Sequence, residues 1–197
     1  MPNCPSNATA IPQLTGQFIC VFGLSGVGKT TLISEFVREH SSWRSLSASS
    51  LLREISNQHP EHLRTLSRSE IKLNQLLLAM TVRKRRALVG PSVDWLLDAH
   101  SVINNDCELV PVPVEVIAEL SPDLLVFIYG TPELILRRRT SDPHRHRPLL
   151  SIQQIAEEQK LAFETCLRYS IELQIRLHKV DVNDRAGFTA VLTNKND

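Results

Sequence analysis

The chain has no excess of either charge: 22 Lys and Arg against 21 Asp and Glu give a formal net charge of +1. A general attraction to nucleic acid or anionic lipid is therefore not indicated, which leaves basic clusters such as Arg83–Arg86 and the stretch from Arg137 to Arg147 to act locally. No apolar run approaches the roughly 18 residues that a membrane span needs. The opening MPNCPSNATAIPQLTGQ has neither the charged start nor the apolar centre of a secretory signal, so residues 1–17 read as a flexible tail and no membrane association is expected. The four cysteines, Cys4, Cys20, Cys107 and Cys166, form no C-x-x-C pair. That argues against a zinc ribbon or a redox motif and for reduced thiols in a cytoplasmic protein. Internal repeats are absent, and so are low-complexity segments after the tail.

What is there is an alternation of short apolar runs with longer helical ones, the pattern of βαβ units and a parallel sheet. The runs Phe18–Phe22, Trp43–Ala48, Val93–Leu97, Leu124–Tyr129 and His178–Val182 read as five strands. Between them Thr31–His40 sets Leu32, Phe36 and Val37 along one helical face, while Ile71–Leu88 and Ile152–Leu177 read as longer surface helices. Gly90-Pro91, Ser121-Pro122-Asp123 and Gly130-Thr131-Pro132 punctuate the elements. A single α/β domain over residues 18–197 is expected.

Directly after the first strand stands Gly23-Leu24-Ser25-Gly26-Val27-Gly28-Lys29-Thr30, a complete match to G-x-x-x-x-G-K-[ST] between a buried strand and an amphipathic helix. Its glycines let the backbone curl into an anion nest, the following helix adds its positive end, Lys29 reaches the outer phosphates, and Thr30 supplies a hydroxyl for Mg²⁺. The residues expected to hold the nucleotide are Gly23, Ser25, Gly26, Val27, Gly28, Lys29, Thr30 and Thr31. The G-x-G-x-x-G spacing of a dinucleotide site is missing. The guanine-specifying N-K-x-D occurs only as Asn194 to Asp197, with no strand before it, which points away from GTP. Asp98 closes the apolar run VDWLL, where sheet topology puts ligand chemistry, and is expected to share Mg²⁺ with Thr30, partly through water.

Taken in order, GLSGVGKTT, LLREIS (Leu51–Ser56), LLDAHSVI (Leu96–Ile103), VPVPVEVIAELSPDLLVFI (Val110–Ile128), RRTSDPHRHR (Arg138–Arg147) and HKVDVND resemble the P-loop nucleoside-monophosphate kinases, most of all archaeal-type adenylate kinase, from about Phe18 to Val191. The resemblance implies a three-layer P-loop kinase fold with a five-stranded parallel sheet, helices on both faces and a short lid at about 138–150. It implies that Arg53 holds the acceptor phosphate, that Asp98 and His100 are the D-x-H of the third strand, and that Arg138, Arg139, Arg145 and Arg147 are catalytic lid cations. Val182 and Asn183 fall where backbone meets the adenine edge. His100 either contacts a substrate phosphate or fixes the loop after Asp98, and His144 and His146, set among arginines, read as solvated lid residues. The segment SASSLLREI lacks the Thr-Gly-Asp common before that Arg, Ala99-His100-Ser101-Val102 stands for the usual Gly-Phe-Pro-Arg, and Asn104–Glu108 is a polar loop.

The expected function is ATP- and Mg²⁺-dependent phosphoryl transfer to a nucleoside monophosphate, with AMP favoured. Mobile arginines are the tools that the three equatorial oxygens of a transferring phosphoryl group call for. Two alternatives stand beside it. One is a P-loop kinase acting on a nucleic-acid 5′-hydroxyl or another small metabolite, with Arg83–Arg86 on the backbone. The other is a nucleotide-bound switch or partner-binding module with weak ATPase. The short, cysteine-free lid leaves no room for an inserted zinc module.

Overall fold

A computed structural model describes residues 15–56, 67–90, 92–105, 108–141 and 150–194. Five strands form one parallel sheet. β1 (Phe18–Phe22) lies at its centre, flanked by β3 (Asp94–Asp98) and β6 (Leu124–Tyr129), with β2 (Trp43–Ser47) outside β3 and β7 (Leu177–Asp181) outside β6. Every residue of β1 is buried, as a strand covered on both faces requires. The five strands expected from sequence are all present, each within a residue or so at its ends.

Helices cover both faces. On one, Phe36 of α1 (Lys29–Glu39) meets Trp43 edge-on at 5.4 Å and Phe188 of α7 (Arg185–Thr193) at 5.9 Å. On the other, α3 (Arg68–Val89) packs beside α4 (Val114–Leu120), and α6 (Ile152–Leu173) brings Tyr169 to 6.0 Å from Phe22. α2 (Ala48–Ser56) follows β2 without a break, and α5 (Pro132–Thr140) opens with Pro132 at its first turn and Thr131 as its cap. Both α3 and α6 begin with capping boxes, Ser67 with Glu70 and Ser151 with Gln154. Among the described residues no helix is long and apolar enough to cross a membrane.

Two features depart from the sequence reading. The helix expected to run to Leu177 ends at Leu173, because Gln174 takes a left-handed backbone (φ 55°) and turns the chain so that Leu177 pairs with Leu125 in the sheet. The stretch after β3, read in part as a polar loop, is an antiparallel hairpin of β4 (Val102–Asn104) and β5 (Leu109–Pro111). Its strands are too short for alternation to show, and tertiary bonds hold it instead. Ser101 Oγ donates to Ala162 O at 2.8 Å, and the buried Tyr169 hydroxyl donates to Val112 O at 2.5 Å with Ser101 O at 3.3 Å. The tail expected over residues 1–17 lies mostly outside the described residues; Gly16 O accepts from Arg86 of α3 at 3.3 Å, and Gln17 is tied to the sheet, its N–H donating to Asp94 Oδ1 at 2.8 Å.

Tyr169→Phe keeps the ring and strands the Val112 carbonyl in the interior, while Ser101 O keeps the Val112 N–H at 2.8 Å. It is expected to lower stability by about 1–3 kcal/mol, read as a reduced urea midpoint at unchanged slope; an unaltered midpoint would mean that the hairpin is not anchored through this hydroxyl.

Candidate active site

The carboxyl ends of β1 and β6 face the crevice from which their connections part, α1 crossing toward β2 and α5 with α6 toward β7. In parallel sheets that crevice is where ligands bind. The loop Gly23–Gly28 occupies it. Gly23, Gly26 and Gly28 have φ of 146°, 88° and 108°, conformations that favour glycine. At Gly28 a Cβ would also stand 2.5 Å from the Arg138 guanidinium and 3.1 Å from Val182 Cγ2.

Alternate carbonyls of this loop are held by side chains. Lys29 Nζ donates to Gly23 O at 2.7 Å and lies 3.3 Å from Leu24 O. His100 Nδ1 is 3.0 Å from the same Gly23 O, and since a carbonyl only accepts, that nitrogen carries the proton. Arg139 Nε donates to Ser25 O at 2.8 Å, and Arg138 Nη1 donates to Val27 O. With the peptides of this loop all trans, the N–H of the residue after each held carbonyl points the opposite way. Successive N–H groups aimed to one side are what an anion nest consists of.

The acidic partner comes from β3. Asp98 Oδ2 accepts from Thr30 Oγ1 at 2.6 Å, and its Oδ1 lies 3.6 Å from Lys29 Nζ. Lys29 is buried and Asp98 nearly so, which strengthens their attraction relative to a surface pair. A hydroxyl and a carboxylate side by side are hard oxygen donors of the kind Mg²⁺ takes, so Thr30 and Asp98 fit that ion. Thr31, in the first turn of α1, is exposed. The thiols of Cys20 and Cys166 are free and buried, and burial pushes both upward, Cys166 to about 12, so neither ionises near neutrality. Cys4 and Cys107 lie outside the described residues.

Arg138 and Arg139, expected as lid cations, stand in the last turn of α5 with their guanidinium groups on the loop carbonyls of Val27 and Ser25. Arg139 is there almost fully buried, with Nη1 2.9 Å from Glu158 Oε2 of α6. Arg145, Arg147, His144 and His146 lie outside the described residues. Arg53 is exposed on α2, bonded locally to Ser49 O at 3.3 Å and Ser50 Oγ at 3.1 Å. Its helix starts immediately after Ser47, which the sheet register sets opposite Asp98. Val182 N–H donates to Tyr129 O at 2.8 Å, and Asn183 is exposed, its backbone and side-chain N–H groups both on Asp181 Oδ1.

Two site residues went unnoticed in sequence. Glu158 and Gln159 sit in the run AEEQK, which resembles solvated helix. Yet Glu158 is three residues after the buried Ile155 and four before the buried Ala162, on the apolar face. That placement was the available signal. Gln159 clamps the loop after β6, accepting from Gly130 N at 3.2 Å and donating to Gly130 O at 3.1 Å.

With this geometry in view, a family model described as AAA domain matches residues 22–156, more than half of the chain. The chain belongs to that family. The chain is similar to adenylate kinases of archaea. Identity is 27% over 162 residues with that of Methanopyrus kandleri (79% of this chain, 83% of the relative) and 28% over 158 residues with that of Thermoplasma acidophilum (77% and 81%). With that of Methanothermobacter thermautotrophicus it is 27% over 160 residues (78% and 84%). The match spans the P-loop, Asp98, His100 and the α5 arginines of this AAA-domain protein, the parts that meet at the crevice.

Gly28→Ala puts a methyl where the backbone is left-handed and the Arg138 guanidinium stands. The variant is expected to lose roughly tenfold or more in ATP affinity, the equivalent of ~1–3 kcal/mol of backbone strain. Calorimetric titration checks this, and wild-type affinity would show that the loop relaxes freely.

Proposed function

We propose that this P-loop nucleotide kinase transfers the γ-phosphoryl group of ATP to a nucleoside monophosphate, with AMP the favoured acceptor, in a reaction that requires Mg²⁺. The observation that carries the reading is the buried Lys29 set between the glycine loop and an Asp98 that also holds Thr30. The similarity to archaeal adenylate kinases supports the acceptor class.

Each group then has a task. The N–H groups of the loop and the first turn of α1 bind the β- and γ-phosphates, and Lys29 exchanges its contacts with Gly23 O and Leu24 O for phosphate oxygens. Thr30 and Asp98 hold Mg²⁺, which when bound neutralises charge on the β- and γ-oxygens. His100 keeps the Gly23 peptide in place at the mouth of the loop. Gly130, clamped by Gln159, and Val182 wall the side of the crevice toward which Asn183 continues. On the other side α2 offers Arg53 to the acceptor phosphate, and Arg145 and Arg147 meet the charge that develops during transfer. Phosphoryl transfer asks for little covalent help, so this placement of charge is most of the catalysis.

The basic cluster Arg83–Arg86 gives a nucleic-acid acceptor little support. Arg83 pairs with Glu119 at 2.6 Å, Arg85 pairs with Glu54, and Arg86 is buried with its guanidinium 4.1 Å over the Phe18 ring. Three of its four cations thus have partners within the fold.

The deciding experiment offers labelled ATP with AMP, GMP, CMP, UMP and a 5′-hydroxyl oligonucleotide in turn. The expected result is AMP-dependent transfer with the highest kcat/KM, abolished by EDTA. Label appearing chiefly on the oligonucleotide, or hydrolysis indifferent to every acceptor, would defeat the reading. Lys29→Ala should cost about 3 kcal/mol in the transition state, about two orders of magnitude in rate, and undiminished turnover would remove Lys29 from the chemistry. Arg53→Ala should raise the KM of the acceptor well above any change in the KM of ATP, since one substrate alone loses a ground-state contact; parallel changes would place Arg53 elsewhere.

A further inference from the structure

We infer that Arg139 and Glu158 form a positioning pair that fixes the direction of the Gly26 N–H in the phosphate nest, acting through the Ser25–Gly26 peptide without touching the nucleotide. The inference rests on the triphosphate half of the function proposed above and on no particular acceptor.

The need for such a pair follows from the loop itself. Gly26 sits at φ 88° and bears no Cβ, so the peptide between Ser25 and Gly26 is free to rotate as a plate: glycine accepts either sign of φ at little cost. The property that lets the loop curl also lets this peptide turn its N–H away from the ligand. A donor on Ser25 O prevents that, because in a planar trans peptide a fixed carbonyl fixes the opposed N–H. Arg139 Nε is that donor, at 2.8 Å.

Glu158 makes the donor dependable. The Arg139 guanidinium is divided between two oxygens, Nε on Ser25 O and Nη1 on Glu158 Oε2 at 2.9 Å, with both side chains about nine-tenths buried. An apolar pair of the same volume often gives a fold as much stability as a buried ion pair does, so stability alone is a weak reason for a charged pair here. The direction imposed on the loop is a stronger one. The next residue on α6, Gln159, holds Gly130 by both its N–H and C=O. One turn of α6 therefore fixes the P-loop and the loop beside it together. Arg138 does the corresponding work at Val27 O, which opposes the Gly28 N–H.

The rival account has Arg139 as a cation that merely raises the local potential for phosphate. The two differ in sign for Glu158→Gln. Removing a negative charge tightens phosphate binding if Arg139 acts through its field, and weakens it if Glu158 is needed to hold Arg139 on Ser25 O.

The test titrates the full chain with ATP and with inorganic tripolyphosphate, each with Mg²⁺, by calorimetry, and follows the Gly26 and Gly28 amides by ¹H–¹⁵N NMR, with the thermal midpoint as a control on folding. In the wild type both amide protons should move downfield on binding. In Glu158→Gln, affinity for both ligands should fall roughly tenfold or more, the range for a hydrogen bond to a charged group. The Gly26 shift should be lost while the Gly28 shift, governed by Arg138, is kept. Should Glu158→Gln not fold, Arg139→Lys, which keeps the charge and loses the fork, carries the same readouts. Tighter binding in Glu158→Gln, an undiminished Gly26 shift, or equal loss at Gly26 and Gly28 would each overturn the inference. If the wild type binds neither ligand, the nucleotide site itself fails and the pair with it, an outcome distinct from a wild type that binds and a variant that does not differ.

Discussion

The crevice depends on one constraint: a glycine-rich backbone must keep its N–H groups converged on one side although glycine itself sets no direction. The loop supplies the freedom, with three glycines at positive φ. The direction comes from elsewhere, through the carbonyls of Gly23, Ser25 and Val27, held from the segment after β3, from α1 and from α5. Hydrogen bonds from cations to carbonyls are stronger than neutral ones, and most of these donors are partly or wholly shielded from water. The buried strands of β1 and β3 matter functionally because their ends deliver Gly23 and Asp98 to neighbouring positions, Val21 pairing with Asp98 in register.

That arrangement explains what was legible in the sequence. The P-loop, the five strands and Asp98 could be read because each is local: a glycine pattern, an apolar run, an acid at the end of that run. The placement of Arg138 and Arg139 could not, since a run of arginines at a helix end has the same pattern whether it faces solvent, phosphate or a backbone carbonyl. The orientation of α5 against the loop decides it. Glu158 was hidden for a related reason, an acid on an apolar helical face whose partner is nineteen residues back along the chain. The β4–β5 hairpin escaped because three-residue strands carry no periodicity, and bonds from Ser101 and Tyr169 to distant backbone hold it.

The same consideration accounts for a near-neutral chain with conspicuously basic stretches. Arg83, Arg85, Arg139 and Arg68 each meet a glutamate from a different element, Glu119, Glu54, Glu158 and Glu108. Arg86 lies instead over Phe18, and burial pulls its guanidinium below the usual arginine range. Charge that looks like a patch along the sequence is distributed pairwise in space. A basic run therefore says little about a polyanionic partner until the acids on neighbouring helices are placed.

The ion pairs around the crevice differ in how far they are shielded. Beside the P-loop, Arg139 with Glu158 and Lys29 with Asp98 are shielded pairs that water screens weakly. Around α2 and the β4–β5 hairpin, Leu51 anchors α2 in the core, while Glu54 with Arg85 and Glu108 with Arg68 are exposed pairs of the kind that contribute little to stability. A triphosphate gains from a nest whose direction is fixed before it arrives, because no ordering of the loop is then needed on binding. The pairs that bear on the direction of the P-loop are therefore the shielded ones, Arg139 with Glu158 on the Ser25 carbonyl and Lys29 with Asp98 beside Gly23.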